Sequence, residues 1–162
     1  MTGATGFLGG HVVRRLVRDG HTVRILRRDT SSLADLQGLL FEDFIGDITT
    51  PESVATAMSG VDAVIHAAAK ISYWPQDAAD TIHVNAYGTQ CVANAALEAG
   101  AKRFVYVSSV MAVGIPDPGT LGSEALVYNF QTHPNPYSES KHAGELFLQD
   151  VAARGLCAMT VN

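Results

Sequence analysis

Apolar positions along this chain follow two alternating rhythms. Behind a glycine-rich opening, Val12, Val13, Leu16 and Val17 recur at helical spacing until Gly20, which predicts an amphipathic helix. Val23, Ile25 and Leu26 mark a strand over 21–27, followed by a short helix over 32–39 and a strand over 41–45. Thr50 stands at an N-cap position with Pro51 at the first helical position, and Gly60 stops the helix they open. Ala63, Val64, Ile65 and His66 form a short apolar run suited to a buried parallel strand. A long helix is predicted over 77–99, with Gly100 just past its end. A strand over 104–107 and a long connection over 108–133 come next. Asn135 and Pro136 repeat the cap-plus-proline signal and open a helix to 154, and a strand over 157–161 closes the pattern.

Strands separated by helices predict right-handed βαβ crossovers and therefore an α/β fold, a doubly wound parallel sheet with helices on both faces. Ligands of such sheets bind at the carboxyl ends of the strands, so the residues just after each strand carry the chemistry. The connection over 108–133 is too long for an ordinary loop of a compact domain, which marks it as functional. Both ends of the pattern are irregular. A glycine turn of this kind follows a strand, yet only Met1 and Thr2 precede it. That strand would be central, between those ending near Arg27 and His66. The last strand has nothing after it, so the expectation is a fragment of a longer protein.

Composition narrows the function classes. The 162 residues are 47% hydrophobic and 17% charged, enough for one domain with a core of its own. A formal net charge of -5 argues against nucleic acid or an anionic membrane surface as partner. No apolar run approaches the about 20 residues that span a bilayer, and no secretory signal is visible, so a cytoplasmic location is expected. Cys91 and Cys157 lie far apart in contexts that read as buried and form no metal-type pair, so no metal site is expected.

Two stretches carry chemistry. In the opening, Gly3, Gly6 and Gly9 leave a backbone that can turn tightly and approach another molecule closely. A glycine turn that opens a helix presents unpaired N–H groups at the positive end of the helix dipole, a ready site for a pyrophosphate. Farther on, Ser108 and Ser109 follow the strand over 104–107, and Tyr137 and Lys141 stand one turn apart on a helix. A free phenol is a poor proton donor or acceptor at neutral pH, and a cation beside it favours phenolate and brings it towards usable acid–base chemistry.

Together these motifs resemble the extended short-chain dehydrogenases/reductases, also called the NAD-dependent epimerase/dehydratase family. The spacing is G-x-x-G-x-x-G, joined to the Ser109 site and Tyr137-x-x-x-Lys141. Gly46-Asp47-Ile48, His66-Ala67-Ala68-Ala69 and Val84-Asn85-Ala86-Tyr87-Gly88-Thr89 stand where further family landmarks fall. The resemblance spans essentially the whole chain. It implies a Rossmann-like NAD(P)-binding domain over 1–162, without its first strand and its C-terminal substrate region, and inactive by itself.

Carried over residue by residue, the resemblance implies the following roles. Gly3, Gly6 and Gly9, with the backbone at Phe7 and Leu8, cradle the cofactor pyrophosphate. Asp47 and Ile48 flank the adenine, and Ala67 and Ala68 line the path of the ribose and nicotinamide. Tyr137 is the general acid in reduction and the base in oxidation, and Lys141 supports it and binds the nicotinamide ribose. Ser109 donates to the substrate oxygen, in preference to Ser108, because the family's hydroxyl keeps a fixed distance from a glycine, here Gly114. Asn85 either serves a proton relay or is a structural helix asparagine.

At the end of the second strand of such folds a carboxylate selects NAD through the ribose 2′-OH. Here Arg27-Arg28 precede Asp29, and a guanidinium suits a 2′-phosphate. Arg28 also matches the arginine that dihydroflavonol-reductase-like members use, so NADP is preferred over NAD. Tyr73 and Trp74 fall after the strand ending at His66, where they could cover an apolar substrate or serve the core. The expected function is hydride transfer between NADP(H) and a carbonyl or secondary alcohol of a small molecule. The alternatives are a nucleotide-sugar epimerase or dehydratase holding NAD, and a non-catalytic NADP-binding regulator. A homodimer through the helices over 77–99 and 136–154 fits the alanines at 93, 95, 96 and 99, which suit packing on the sheet equally well.

Overall fold

The computed structural model describes residues 1–130 and 134–162; the last three positions of the predicted connection over 108–133 lie outside the described residues. Parallel pairing joins β1 (Arg24–Arg27) to β2 (Glu42–Ile45), with Arg24 opposite Glu42. It also joins β3 (Ala63–His66) to β4 (Arg103–Val107) and β4 to β5 (Ala158–Val161), with Ala63 opposite Arg103 and Phe104 opposite Ala158. Thr2 lies between the two groups and forms parallel bridges to Leu26 and to His66. Its amide donates to the Ile65 carbonyl at 3.1 Å, and the Leu26 amide donates to the Met1 carbonyl at 2.9 Å. Met1 and Thr2 thus occupy the central position expected between the strands ending at Arg27 and His66.

Side chains alternate across the sheet as strand geometry requires. Ile25 turns to one face with Ala4, Val13, Val23 and Leu36, covered by α1 (Phe7–Arg18). Leu26 turns to the other, with Val64, Val92, Phe104, Tyr106, Leu148 and Val151. That second layer is α2 (Pro51–Met58), α4 (Gly88–Glu98) and α5 (Pro136–Ala153). Helices therefore cover both faces of a parallel sheet.

Local chemistry sets the element ends. Asn135 caps α5 as expected, its Oδ1 accepting the Ser138 amide at 2.8 Å, with Pro136 in the first turn. Thr50 precedes α2, but its hydroxyl caps nothing; the Thr50 carbonyl takes the Ser53 and Val54 amides instead. Gly100, at φ +71, ends α4 in a left-handed turn in which Ala101 donates back to Ala96 and Gly100 to Leu97.

Several expectations need correction. The strand over 21–27 is confined to Arg24–Arg27, because pairing with the neighbouring strand begins where the Val23 carbonyl accepts the Glu42 amide. The helix over 32–39 is only a 3₁₀ turn, Ala34–Leu36, since Leu36 is its one buried residue and Gly38 turns the chain at φ +78. Cys91 is buried but Cys157 is exposed. Ala93, Ala95 and Ala96 are buried in the core beneath the sheet, which satisfies the packing alternative for the alanine face. The helix over 77–99 is interrupted: a 3₁₀ turn at Pro75–Asp77 and α3 (Ala78–Ile82) lead into a π turn at His83–Tyr87 before α4 begins.

Phe104 is fully buried at the centre of the larger core, tilted against His66 with ring centroids 6.2 Å apart. Phe104→Ala should destabilise the fold by about 3–5 kcal/mol, read as a lowered denaturation midpoint with an unchanged slope.

Candidate active site at the carboxyl edge of the sheet

The glycine turn is built by close approach. Gly3 has φ +69, and a Cβ there would stand 2.5–2.6 Å from the Ala67 carbonyl and the Ala68 amide nitrogen. A Cβ on Gly9 would lie 1.9 Å from the Gly3 carbonyl oxygen. Gly6 differs: its nearest neighbour would be the Gly3 oxygen at 3.5 Å, leaving open space over the turn. Gly6 is the N-cap of α1 and brings no side chain to cap it, and the first turn holds no acidic residue. The first helical bond runs from Gly10 to Gly6 at 2.8 Å, so the amides of Phe7, Leu8 and Gly9 lie in the part of a helix that lacks internal acceptors. Phe7 is 85% exposed. This cradle fits the pyrophosphate of a dinucleotide.

The adjoining strand ends supply the rest of the groove. Arg27 is locked by Asp43 through two bonds, Nε–Oδ1 at 2.8 Å and Nη2–Oδ2 at 2.7 Å, which holds its guanidinium in its charged form. Arg28 is exposed beside it. Asp47 folds on itself, its Oδ1 accepting from the Thr49 amide and hydroxyl at 2.9 and 2.7 Å. The Ile48 side chain is buried in the core against Gly88, where a Cβ would meet it at 2.7 Å. Only its backbone is left to face the groove. Ala67 and Ala68 are half-buried, directly under the glycine turn.

Behind the groove runs a buried chain of polar groups, of which sequence reasoning named only Asn85 as a candidate site residue. His66 Nδ1 meets the Thr2 hydroxyl at 2.7 Å and Nε2 meets the Thr89 hydroxyl at 3.0 Å. Thr89 donates to the Asn85 carbonyl at 2.5 Å, inside the π turn. The Asn85 side chain receives the Lys70 amide at 2.7 Å and donates to the Lys70 carbonyl and to Ser140 Oγ, both at 2.8 Å. Ser140 in turn donates to the Tyr137 carbonyl at 2.8 Å. The signal in the sequence was a histidine closing an apolar strand, with a threonine in the following helix.

The third group gathers at the end of β4. Lys141 is 1% exposed, and its Nζ donates to the Val107 carbonyl at 2.7 Å while lying 4.2 Å over the Tyr106 ring. Burial pushes its pKa down to about 8, against the opposing pull of Glu145. Tyr137 stands one turn earlier on α5, half-buried, its ring edge-to-face with Tyr73 at 5.7 Å. Ser109 is half-buried and its Oγ accepts the Met111 amide at 3.2 Å. Asn162 ties this corner together, donating to the Ser109 carbonyl at 3.0 Å and to Glu145 at 2.7 Å. Ser108 is buried and its hydroxyl has no hydrogen-bond partner among the described residues. The fold thus brings Ser109 and the buried Lys141 to one strand end, with Tyr137 one helical turn from Lys141.

The profile of the NAD dependent epimerase/dehydratase family matches the chain over residues 1–162. The chain belongs to that family. Over 162 residues it is 36% identical to sterol demethylase protein B of Methylococcus capsulatus, covering all of this chain and 49% of that protein. It is also 36% identical to 3 beta-hydroxysteroid dehydrogenase type 7 of Rattus norvegicus, over 96% of this chain and 49% of the rat protein. The solved structure of gox2253 superposes with a TM-score of 0.90 at 35% identity, covering 99% of this chain and 49% of that one. The chain spans about half the length of the curated relatives it matches. Members of this epimerase/dehydratase family are NAD-dependent enzymes of the short-chain dehydrogenase/reductase type on a Rossmann-like α/β scaffold, as the motifs implied. No described helix is long and apolar enough to cross a membrane.

His66 carries a pH signature. Burial, and secondarily the Lys141 charge, pushes its pKa down to about 3 from an ordinary 6.5. Between those values the unfolded chain binds the proton that the fold refuses, so stability should be full above about pH 6.5 and fall steadily towards pH 3. Denaturation midpoints measured across that window should decline in the parent chain and decline less in His66→Gln.

Proposed function

We propose that residues 1–162 are the cofactor-binding domain of an oxidoreductase that acts in the cytoplasm and moves hydride between NADP(H) and a carbonyl or secondary-alcohol carbon of a small molecule. The observation that carries this reading is that Ser109 and the buried Lys141 meet at the end of β4, with Tyr137 one helical turn from Lys141. The ammonium there is held by the Val107 carbonyl rather than by a carboxylate. A bound reduced nicotinamide supplies the hydride. Ser109 Oγ donates to the substrate oxygen and stabilises the charge that grows there. Tyr137 gives its phenolic proton to that oxygen in reduction and takes it back in oxidation. Lys141 keeps positive charge next to the phenol and reaches the cofactor ribose. Asn85 is a positioning residue, its amide committed to Lys70 and Ser140. Gly3, Gly6, Phe7, Leu8 and Gly9 hold the pyrophosphate, Asp47 and the Ile48 backbone flank the adenine, and Ala67 and Ala68 line the ribose path.

The NADP preference rests on Arg28. Its neighbour Arg27 is consumed by Asp43, which leaves Arg28 as the exposed guanidinium at the end of β1, where a 2′-phosphate would lie. Titrated against this chain, NADP should bind at least about tenfold more tightly than NAD, a difference of about 1.4 kcal/mol. Arg28→Glu should reverse the order, and equal affinities in the parent chain would remove the preference.

The catalytic assignment is tested by Tyr137→Phe in a catalytically active protein containing this chain. Hydride transfer should fall by about 10²–10⁴-fold while NADP affinity stays within about twofold. Retained turnover would refute the assignment.

A further inference from the structure

A carboxylate is the ordinary partner of a lysine on a helix, and Lys141 has one within reach. Glu145 lies one turn farther along α5, at the i,i+4 spacing of a helical ion pair. That pair does not form. Glu145 Oε1 accepts from Asn162 at 2.7 Å, and Lys141 Nζ donates instead to the Val107 carbonyl at 2.7 Å, with the Tyr106 ring centroid 4.2 Å away. Lys141 and Tyr106 are both fully buried. A cation over an aromatic face gains most in such a place, because no water competes for it.

Tyr106 offers that face from a fixed mount. It lies within β4, which is paired on one side with β3 and on the other with β5, and its ring is stacked on His66. Its hydroxyl is buried and has no hydrogen-bond partner among the described residues. Burial holds the phenol above its ordinary pKa, so it stays protonated wherever Lys141 titrates and does not relay a proton. The ring face is what remains for Tyr106 to contribute. An ammonium carries three N–H donors. The Val107 carbonyl takes one, and the ring attracts the cation without supplying a lone pair, so donors are left for a ligand.

Building on the proposed hydride-transfer chemistry, we infer that Tyr106 is a positioning residue for that reaction: its ring face, and not its hydroxyl, holds the Lys141 ammonium against the Val107 carbonyl at the end of β4.

The chain has three lysines. Lys70 and Lys102 are ion-paired, which raises their pKa values, whereas burial pushes Lys141 down to about 8. Lys141 is therefore the lysine that titrates first, and isotopically labelled lysine Cε followed by NMR against pH reads it directly. Glu145 and Tyr137 on α5 and His66 on β3 are the other titratable groups around it, and the variants leave all three in place. Tyr106→Phe keeps the face and removes the hydroxyl, so the Lys141 midpoint should stay within about 0.3 of the parent value. Pentafluorophenylalanine at position 106 keeps the shape but removes the negative face, and should weaken proton binding by Lys141 at least about tenfold. In a catalytically active protein containing this chain, hydride transfer at pH 8 should then fall at least about fivefold below that of Tyr106→Phe, as the ammonium fraction does. The inference is overturned if fluorination leaves the Lys141 titration unmoved, if Tyr106→Phe alone shifts it as far, or if hydride transfer ignores the shift. The titration needs no turnover, so its failure strikes this inference alone, whereas retained turnover in Tyr137→Phe strikes the proposed function.

Discussion

A fully buried imidazole that must stay neutral organises the carboxyl edge of this sheet. Thr89 gives its hydroxyl proton to the Asn85 carbonyl, so it can only accept from His66 Nε2. That fixes the proton on Nε2 and leaves Nδ1 to accept from Thr2. Thr2 Oγ1 also accepts the Ala68 amide at 3.3 Å, so every member of the chain has one consistent direction. A second proton on the ring would turn Nδ1 into a donor and deprive the Thr2 hydroxyl proton of its acceptor, in a fully buried place. The central strand position, the groove under the glycine turn and the π turn of the long helix are all tied to that one ring.

The π turn is the structural consequence. It widens the helix at His83–Tyr87, and Asn85 within it reaches both Lys70 and Ser140. Ser140 then holds the carbonyl of Tyr137. A regular helix would carry the same residues with a different phase, and the link from β3 to the start of α5 would be lost. π turns of this kind recur at functional sites because they re-aim side chains without ending the helix.

That Thr2 alone bridges both neighbours was not legible in the sequence; the β-α alternation, the central position of the strand before the glycine turn, the cap at Asn135 and the tight glycine turn itself all were. Each depends on local spacing or on residues with one dominant use, such as a proline behind a cap. What was not legible depends on contacts distant in the chain. The strand over 21–27 shortens because pairing begins at Val23 and Glu42, a matter of register. The π turn needs Asn85 to find Lys70 and Ser140, and no periodicity announces it. The exposed Cys157 shows the same limit, since a short apolar end strand need not bury both of its faces. Tyr73 reads as core or as substrate wall in the sequence, and its 54% exposure sets core packing aside.

Lys141 is the last piece of the same logic. A buried ammonium is costly, and the nearest remedy would be a carboxylate, which would also cancel its charge. Here the charge is accommodated by a backbone carbonyl and the face of Tyr106. Both are dipolar or quadrupolar partners that stabilise a cation without carrying an opposing unit charge. Tyr106 is itself stacked on His66 at 5.5 Å, and a Cβ at Gly144 would strike its hydroxyl at 2.6 Å. Gly144 therefore lets α5 sit close enough for Lys141 to reach the ring. Among the described residues no carboxylate forms an ion pair with it, Glu145 acting only from a distance, so in a poor dielectric its field is less cancelled than that of a paired lysine. Its charge falls on His66, whose pKa it helps to lower, and Tyr137 stands one helical turn away on α5.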